Sequence, residues 1–153
     1  EQEQVFELAR GANLILVDWI SAGRIARGER WAFRRYRSRN EIRRDGRVLF
    51  LDSVLLENDG ALNNRFRTGR FNCLGMVLIL GPKLQTFAEQ ILQRFGSMPV
   101  EPAADLPSTA SPIKEGVLLR FAGLSVEAVG RAVHQNLAFL PSLLADDPWG
   151  RKW

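Results

Sequence analysis

Arg43-Arg44-Asp45-Gly46-Arg47-Val48-Leu49-Phe50-Leu51-Asp52 is the stretch that decides the fold. Asp-Gly between two extended segments is the strongest short hairpin signal, because a type I′ turn needs positive φ at both central residues. Upstream, Glu29–Arg39 alternates. Trp31, Phe33, Arg35 and Arg37 would share one strand face, and Ala32, Arg34, Tyr36 and Ser38 the other. With Ile42 continuing the run, this predicts an exposed, arginine-rich β-ribbon whose aromatic stem packs inward. Downstream, Val48–Glu57 is the return strand, with Val48, Phe50 and Asp52 on one face and Leu49, Leu51 and Ser53 on the other. Asn58-Asp59-Gly60 ends it with a second turn signal.

Further from the hairpin, the same reading gives more strands and then helices. Val5–Leu8 is a short apolar strand, followed by the turn signal Arg10-Gly11-Ala12-Asn13. Leu14–Ile20 is β-branched and nearly continuous in apolar residues, as a strand covered on both faces would be. Asp18 interrupts it and needs a partner if buried. Asn63–Arg70 is polar, and Phe71–Leu80 is a third apolar strand, with Gly75 marking a bulge or a close approach. The period then changes: Leu84, Phe87, Ala88, Ile91, Leu92 and Phe95 fall on one helical face, entered through Pro82 and closed near Gly96. Residues 97–113 hold four prolines and read as a flexible loop. Gly116–Ala122 is a strand. Ser125 caps a second helix whose apolar stripe is Val126, Val129, Val133, Leu137 and Leu140, ending or kinking near Pro141. The fold class is therefore mainly β with two α-helices, or α+β when this stretch is viewed alone, and not a doubly wound α/β fold.

Length and composition narrow the function classes. A chain of 153 residues, 46% hydrophobic and 25% charged, fits one domain with its own core. Its apolar runs, Leu14–Val17 and Met76–Leu80, are far short of a membrane span. The chain opens on Glu1 inside a strand-like run, as expected of a piece of a longer protein. Cys73 is the one cysteine and His134 the one histidine, so a Cys/His zinc site within the chain is ruled out. A nucleophilic triad would have to be built around His134, which falls on a helix beside an apolar stripe. No glycine-rich phosphate loop occurs. The net charge is +4, and ten arginines lie between Arg24 and Arg47 against three acids, Glu29, Glu41 and Asp45. Such a patch steers acidic partners. A nucleic-acid-binding β domain, using the Arg/aromatic ribbon 29–47, is the alternative function that this composition allows.

Several segments, in order, resemble urease accessory protein D, called H in some bacteria. They are Leu14-Ile15-Leu16-Val17-Asp18-Trp19-Ile20-Ser21-Ala22-Gly23-Arg24, then Arg27-Gly28-Glu29-Arg30-Trp31-Ala32-Phe33. Leu49–Glu57, Met76–Leu84 and Gly116–Arg120 follow. The Val-Asp-Trp form is similar to the plant and fungal branch of that family, and the match covers its C-terminal part.

The resemblance implies a largely β scaffold of helix-like stacked sheets with two helices. It implies a cytoplasmic, non-catalytic role in nickel insertion, with urease accessory proteins F and G and apo-urease as partners, and with no membrane. No cofactor is expected to be tightly bound; nickel would be in transit, by one model through an internal tunnel. Nickel(II) accepts carboxylate and water ligands, and a transit path must hold it weakly. Asp18, Glu29 and Asp52 are the acids in matching segments and are the candidate path-lining groups. Arg24, Trp31, Arg34, Arg35 and Arg37 are the candidate partner contacts. Gly23 and Gly28 are expected to serve backbone geometry.

Overall fold

The computed structural model describes residues 1–58, 64–99, 101 and 103–150. The turn expected at Asp59-Gly60 and the end of the tail, 151–153, lie outside the described residues. The elements run β1 (Gln2–Glu7), β2 (Leu14–Ser21), β3 (Arg35–Arg44), β4 (Arg47–Glu57), α1 (Asn64–Thr68), β5 (Cys73–Leu80), α2 (Gln85–Gly96), β6 (Ser108–Ile113), β7 (Gly116–Gly123), α3 (Val126–Asn136) and α4 (Leu140–Leu144). The order β1-β3-β4 makes one sheet and β2-β5-β7-β6 the other.

The decisive hairpin forms as predicted. Asp45 and Gly46 both take positive φ, 50° and 71°, and β3 pairs antiparallel with β4 across them. Its tip is braced by Arg10, whose Nε donates to Asp45 Oδ2 at 3.0 Å. β1 joins β3 in parallel, Gln2 opposite Ser38 through Glu7 opposite Arg43. A parallel neighbour needs a crossover, and here β2 supplies it by passing through the other sheet.

Three layers result. On one face of the four-stranded sheet, Cys73, Val77 and Ile79 of β5 and Val117, Leu119 and Phe121 of β7 pack against Ala88 and Ile91 of α2 and Val129, Ala132 and Val133 of α3. Fully burying each large aliphatic side chain there contributes about 1.5–3 kcal/mol. Both amphipathic helices appear where the period predicts, and Ser125 Oγ accepts the Ala128 N–H as the N-cap of α3. Glu127 sits in that first turn, and its hydrogen bonds with its own backbone and with Ser125 hold its carboxyl below the usual range. Pro141 lies in the first turn of α4, past the end of α3. Gly75 marks a close approach, not a bulge: pairing runs unbroken through it on both sides, and a Cβ there would stand 2.9 Å from Val129 Cγ1.

The other face of this sheet meets the three-stranded sheet. At one end Ile42, Phe50 and Phe6 pack on Leu14, Leu16, Leu78 and Leu80. At the other, Trp31, Tyr36, Val54 and Leu56 pack on Ile20, Ala22 and Leu74.

Two sequence expectations fail in this frame. Residues 97–113 are not loop throughout, because Ser108–Ile113 is strand β6, antiparallel to β7 with Pro112 opposite Val117. β6 is the edge strand of its sheet, where a residue without an N–H is tolerated. The ribbon Glu29–Arg39 is strand only from Arg35 onward. Before it, Ile25–Arg27 forms a 3-10 turn ended by Gly28 at φ 77°, and Trp31 turns the chain at φ 52°.

Candidate functional site

Inward-facing residues of the two sheets decide what lies between the apolar clusters. On β2, β5 and β7, pairing puts Asp18 opposite Met76 and Met76 opposite Arg120. On β3 and β4, Asn40 is opposite Asp52, one step from Ser38 opposite Val54. A polar row from each sheet thus meets in the middle of an otherwise apolar layer. Between them is a cavity of about 360 Å³, lined by Asp18, Ser38, Asp52, Met76 and Arg120 and, on its apolar side, by Ile20, Tyr36, Val54 and Leu74.

Each charge in the row has a partner. Asn40 Nδ2 donates to Asp18 Oδ2 at 3.0 Å, the partner that Asp18 needed. Arg120 Nη2 donates to Asp52 Oδ1. The side chain of Asp52 is 6% exposed and that of Arg120 50%. Two oxygens are left over: Ser38 Oγ and Asn40 Oδ1 are buried with no hydrogen-bond partner. The cavity lining therefore offers carboxylate and hydroxyl oxygens, donors that suit a hydrated divalent cation held loosely. Among the described residues, no three His, Cys, Asp or Glu side chains gather where they could hold a metal ion.

Of the three candidate path acids, Asp18 and Asp52 come together on this cavity. Glu29 does not. It accepts from Arg24 Nε at 2.7 Å on the exposed turn after β2, where Gly23 takes φ 89° and a Cβ on it would stand 3.2 Å from the Glu29 carbonyl oxygen. Ser38, Asn40 and Arg120 were not singled out from the sequence. The first two had a legible signal, since in Tyr36-Arg37-Ser38-Arg39-Asn40-Glu41-Ile42 the inward positions are Tyr, Ser, Asn and Ile.

The candidate contact residues separate as well. Trp31 is 1% exposed. Its Nε1 donates to the Phe71 carbonyl at 2.9 Å, and its ring meets Phe33 edge-on at 6.0 Å. It is a core residue, not a contact, because the turn at residues 29–34 folds the stem beneath the sheets. Arg24 is engaged by Glu29. Arg35 lies 3.9 Å from both Glu1 and Glu57. Arg34 and Arg37 are exposed, with no ion pair among the described residues. Arg35 and Arg37 project from the outer face of the three-stranded sheet, where exposed Leu55 is opposite Arg37 and exposed Leu51 opposite Glu41. On that face the carboxylate of Glu41, 2% exposed, accepts from Arg39 and Arg43. The Arg43 hydrogen bond is the main reason that its carboxyl is held below the usual range.

His134 is exposed at the last turn of α3 and stacks on Trp149, ring centroids 4.1 Å apart. Cys73 is on the opposite, helix-facing side of β5, where burial pushes its thiol up to about 11. With Trp31 buried and Phe33 and Tyr36 half-buried in the same cluster, the ribbon has no open aromatic face for bases, and the nucleic-acid alternative is not supported. No helix among the described residues is long and apolar enough to cross a membrane.

Comparison with known proteins agrees with the segments quoted above. A urease accessory protein UreD of Anaeromyxobacter sp. is 43% identical over 150 residues, 98% of this chain and 50% of its own length. That of Sorangium cellulosum is 45% identical over 155 residues, 100% of this chain and 48% of its own. Urease accessory protein D of Arabidopsis thaliana is 32% identical over 173 residues, 97% of this chain and 59% of its own. Plant relatives are thus among the matches, with these two bacterial ones at higher identity. The chain spans about half the length of the curated relatives it matches. The sequence profile of the UreD urease accessory proteins matches residues 1–153, and the chain belongs to that family.

Proposed function

We propose that this chain is part of a non-catalytic scaffold that helps mature urease by nickel insertion, working in the cytoplasm with urease accessory proteins F and G and with apo-urease. The observation that carries this reading is the family match along all 153 residues. The structure adds a chemical reason for a role in transit. Asp18 and Asp52 face one cavity whose remaining donors are neutral oxygens, a set that retains water around nickel and lets it go. Arg34 and Arg37, exposed and uncommitted, are the contacts best placed for an acidic partner surface.

The test uses the full-length protein. It is expected to co-purify with accessory protein F and apo-urease. Paired Asp18→Asn and Asp52→Asn substitutions are expected to lower urease activation while co-purification persists, and Glu29→Gln is expected to leave activation unchanged. Full activation by the double variant would remove the cavity from the nickel route. Failure of the wild type to associate with either partner would remove the scaffold role.

A further inference from the structure

The ion pair across the inter-sheet cavity is unequal. Asp52 is enclosed, its side chain 6% exposed, while the Arg120 side chain is half in solvent at 50%. Arg120 is the one charged partner of Asp52 among the described residues, and a buried carboxylate stripped of such a partner is strongly disfavoured. A long guanidinium stem already half in water can swing out with little loss. The pair therefore opens in one way only: Arg120 leaves when another cation takes its place on Asp52.

The surroundings point to such a replacement. Ser38, 2% exposed, lines the cavity with an unpartnered Oγ. Asn40, with no exposure, spends its Nδ2 on Asp18 and leaves Oδ1 unpartnered. Among the described residues Asp18 is held by that neutral donor alone, so its negative charge is oriented without being cancelled. Pairing through Met76 keeps Asp18 and Arg120 on the same face of their sheet. The cavity is thus lined by a second carboxylate and the Ser38 hydroxyl, with Asn40 behind them, and one positive charge stands where a cation would sit.

We infer that Arg120 is a displaceable counter-ion guarding this cavity, neutralising Asp52 until a divalent cation displaces it and returning when the cation leaves. This rests on the proposed role of the cavity in nickel transit and adds to it a device for release. A built-in competitor weakens the site, as transit requires, and keeps the buried acid satisfied between cargoes.

The experiment is a competition titration of nickel(II) alone against a chromophoric chelator, with the full-length protein. Wild type, Arg120→Gln, Arg120→Lys, Asp18→Asn and Asp52→Asn are compared, with thermal melts showing that each variant is folded. Removing a unit charge next to a divalent ion is expected to tighten binding by roughly tenfold or more in Arg120→Gln. Arg120→Lys, which keeps the charge, is expected to bind like wild type, and adding Asp18→Asn to Arg120→Gln is expected to cancel the gain. If Asp18→Asn and Asp52→Asn weaken binding but Arg120→Gln does not tighten it, the cavity reading stands and the guard is refuted. The guard is also refuted if Arg120→Lys tightens binding as much as Arg120→Gln. If neither acid variant changes nickel binding in any background, the cavity reading falls and takes the guard with it.

Discussion

Replacing Trp31 by alanine separates a surface contact from a core residue. The indole is 1% exposed and packs with Ala22 and Leu56, with Phe33 and Tyr36 around them. Burying a side chain of that size removes ~150–250 Å² from water, an upper estimate of ~4–6 kcal/mol at ~25 cal/mol per Å². Partial collapse of the cavity lowers this, and measured Trp→Ala losses in cores run at about 3–5 kcal/mol. Losing the Nε1 donor to Phe71 O at 2.9 Å leaves that carbonyl with the Arg30 guanidinium, also at 2.9 Å, so the loss stays near the middle of the range. We therefore expect Trp31→Ala to lose about 4 kcal/mol, a large share of the ~5–15 kcal/mol of a typical domain. Urea unfolding of the full-length protein, followed by far-UV circular dichroism, measures it. Trp31→Phe keeps most of the packing and is expected to lose about 1–2 kcal/mol. Were Trp31 a partner contact on an exposed ribbon, alanine would change stability by less than about 0.5 kcal/mol while partner binding fell. That result would refute the inward turn at residues 29–34.

Two other changes test the packing of the helix layer. Gly75→Ala puts a methyl 2.9 Å from Val129 Cγ1 and is expected to lose about 1–3 kcal/mol in the same urea assay. Gly130→Ala, within α3 and with nothing within 4 Å of the new Cβ, is expected to gain about 0.5–1 kcal/mol. The third prediction concerns pH. Burial pushes the Cys73 thiol up from 9.0 to about 11. The native state therefore resists ionisation while the unfolded chain ionises first. Stability from this group is complete below pH 9 and falls as pH rises to about 11, by roughly 2–3 kcal/mol at ~1.4 kcal/mol per unit. Denaturation curves of wild type and Cys73→Ala at pH 8 and above (~pH 10–11 at the top) check it: the alanine variant is expected to show the shallower decline, and equal declines would refute the assignment.

The elements that sequence revealed are those whose signal is local. Asp45-Gly46 needs only its own backbone to make a turn. The stripe from Leu84 to Phe95 needs only a period, and Ser125 needs only the N–H three residues on. What sequence concealed depends on partners remote along the chain. Ser108–Ile113 is a strand because β7 offers it an edge, and nothing within a proline-rich run announces that edge. Trp31 looked like ribbon because alternation was carried back over residues 29–34, before the strand begins at Arg35. The site divides in the same way. Asp18 stood out as a charge inside an apolar strand, while Asp52 was named only for lying in a segment that resembles the family. Arg120 closes an apolar run 68 residues from Asp52, and only the stacking of the two sheets brings them together.

The polar row is also where stability and function should part. Apolar clusters flank it on both sides, and a buried ionic group can often be replaced by packed hydrophobic residues with no loss of stability. Cohesion alone does not explain Asp18, Ser38, Asn40, Asp52 and Arg120 at the centre of this layer. Ser38→Ala makes the point testable with least disturbance. Its Oγ is buried without a hydrogen-bond partner, a condition that costs about 1–3 kcal/mol. Removing one oxygen from a strand position with room beside it is therefore expected to raise stability by about 1 kcal/mol. Nickel retention in the chelator titration is expected to fall, because one neutral donor is gone. Opposite movements of the two quantities mark a site kept at the expense of the fold. A Ser38→Ala protein less stable by 1 kcal/mol or more, on the ~1 kcal/mol scale of a single hydrogen bond, would mean that the hydroxyl is bonded after all. The row would then be holding the sheets together.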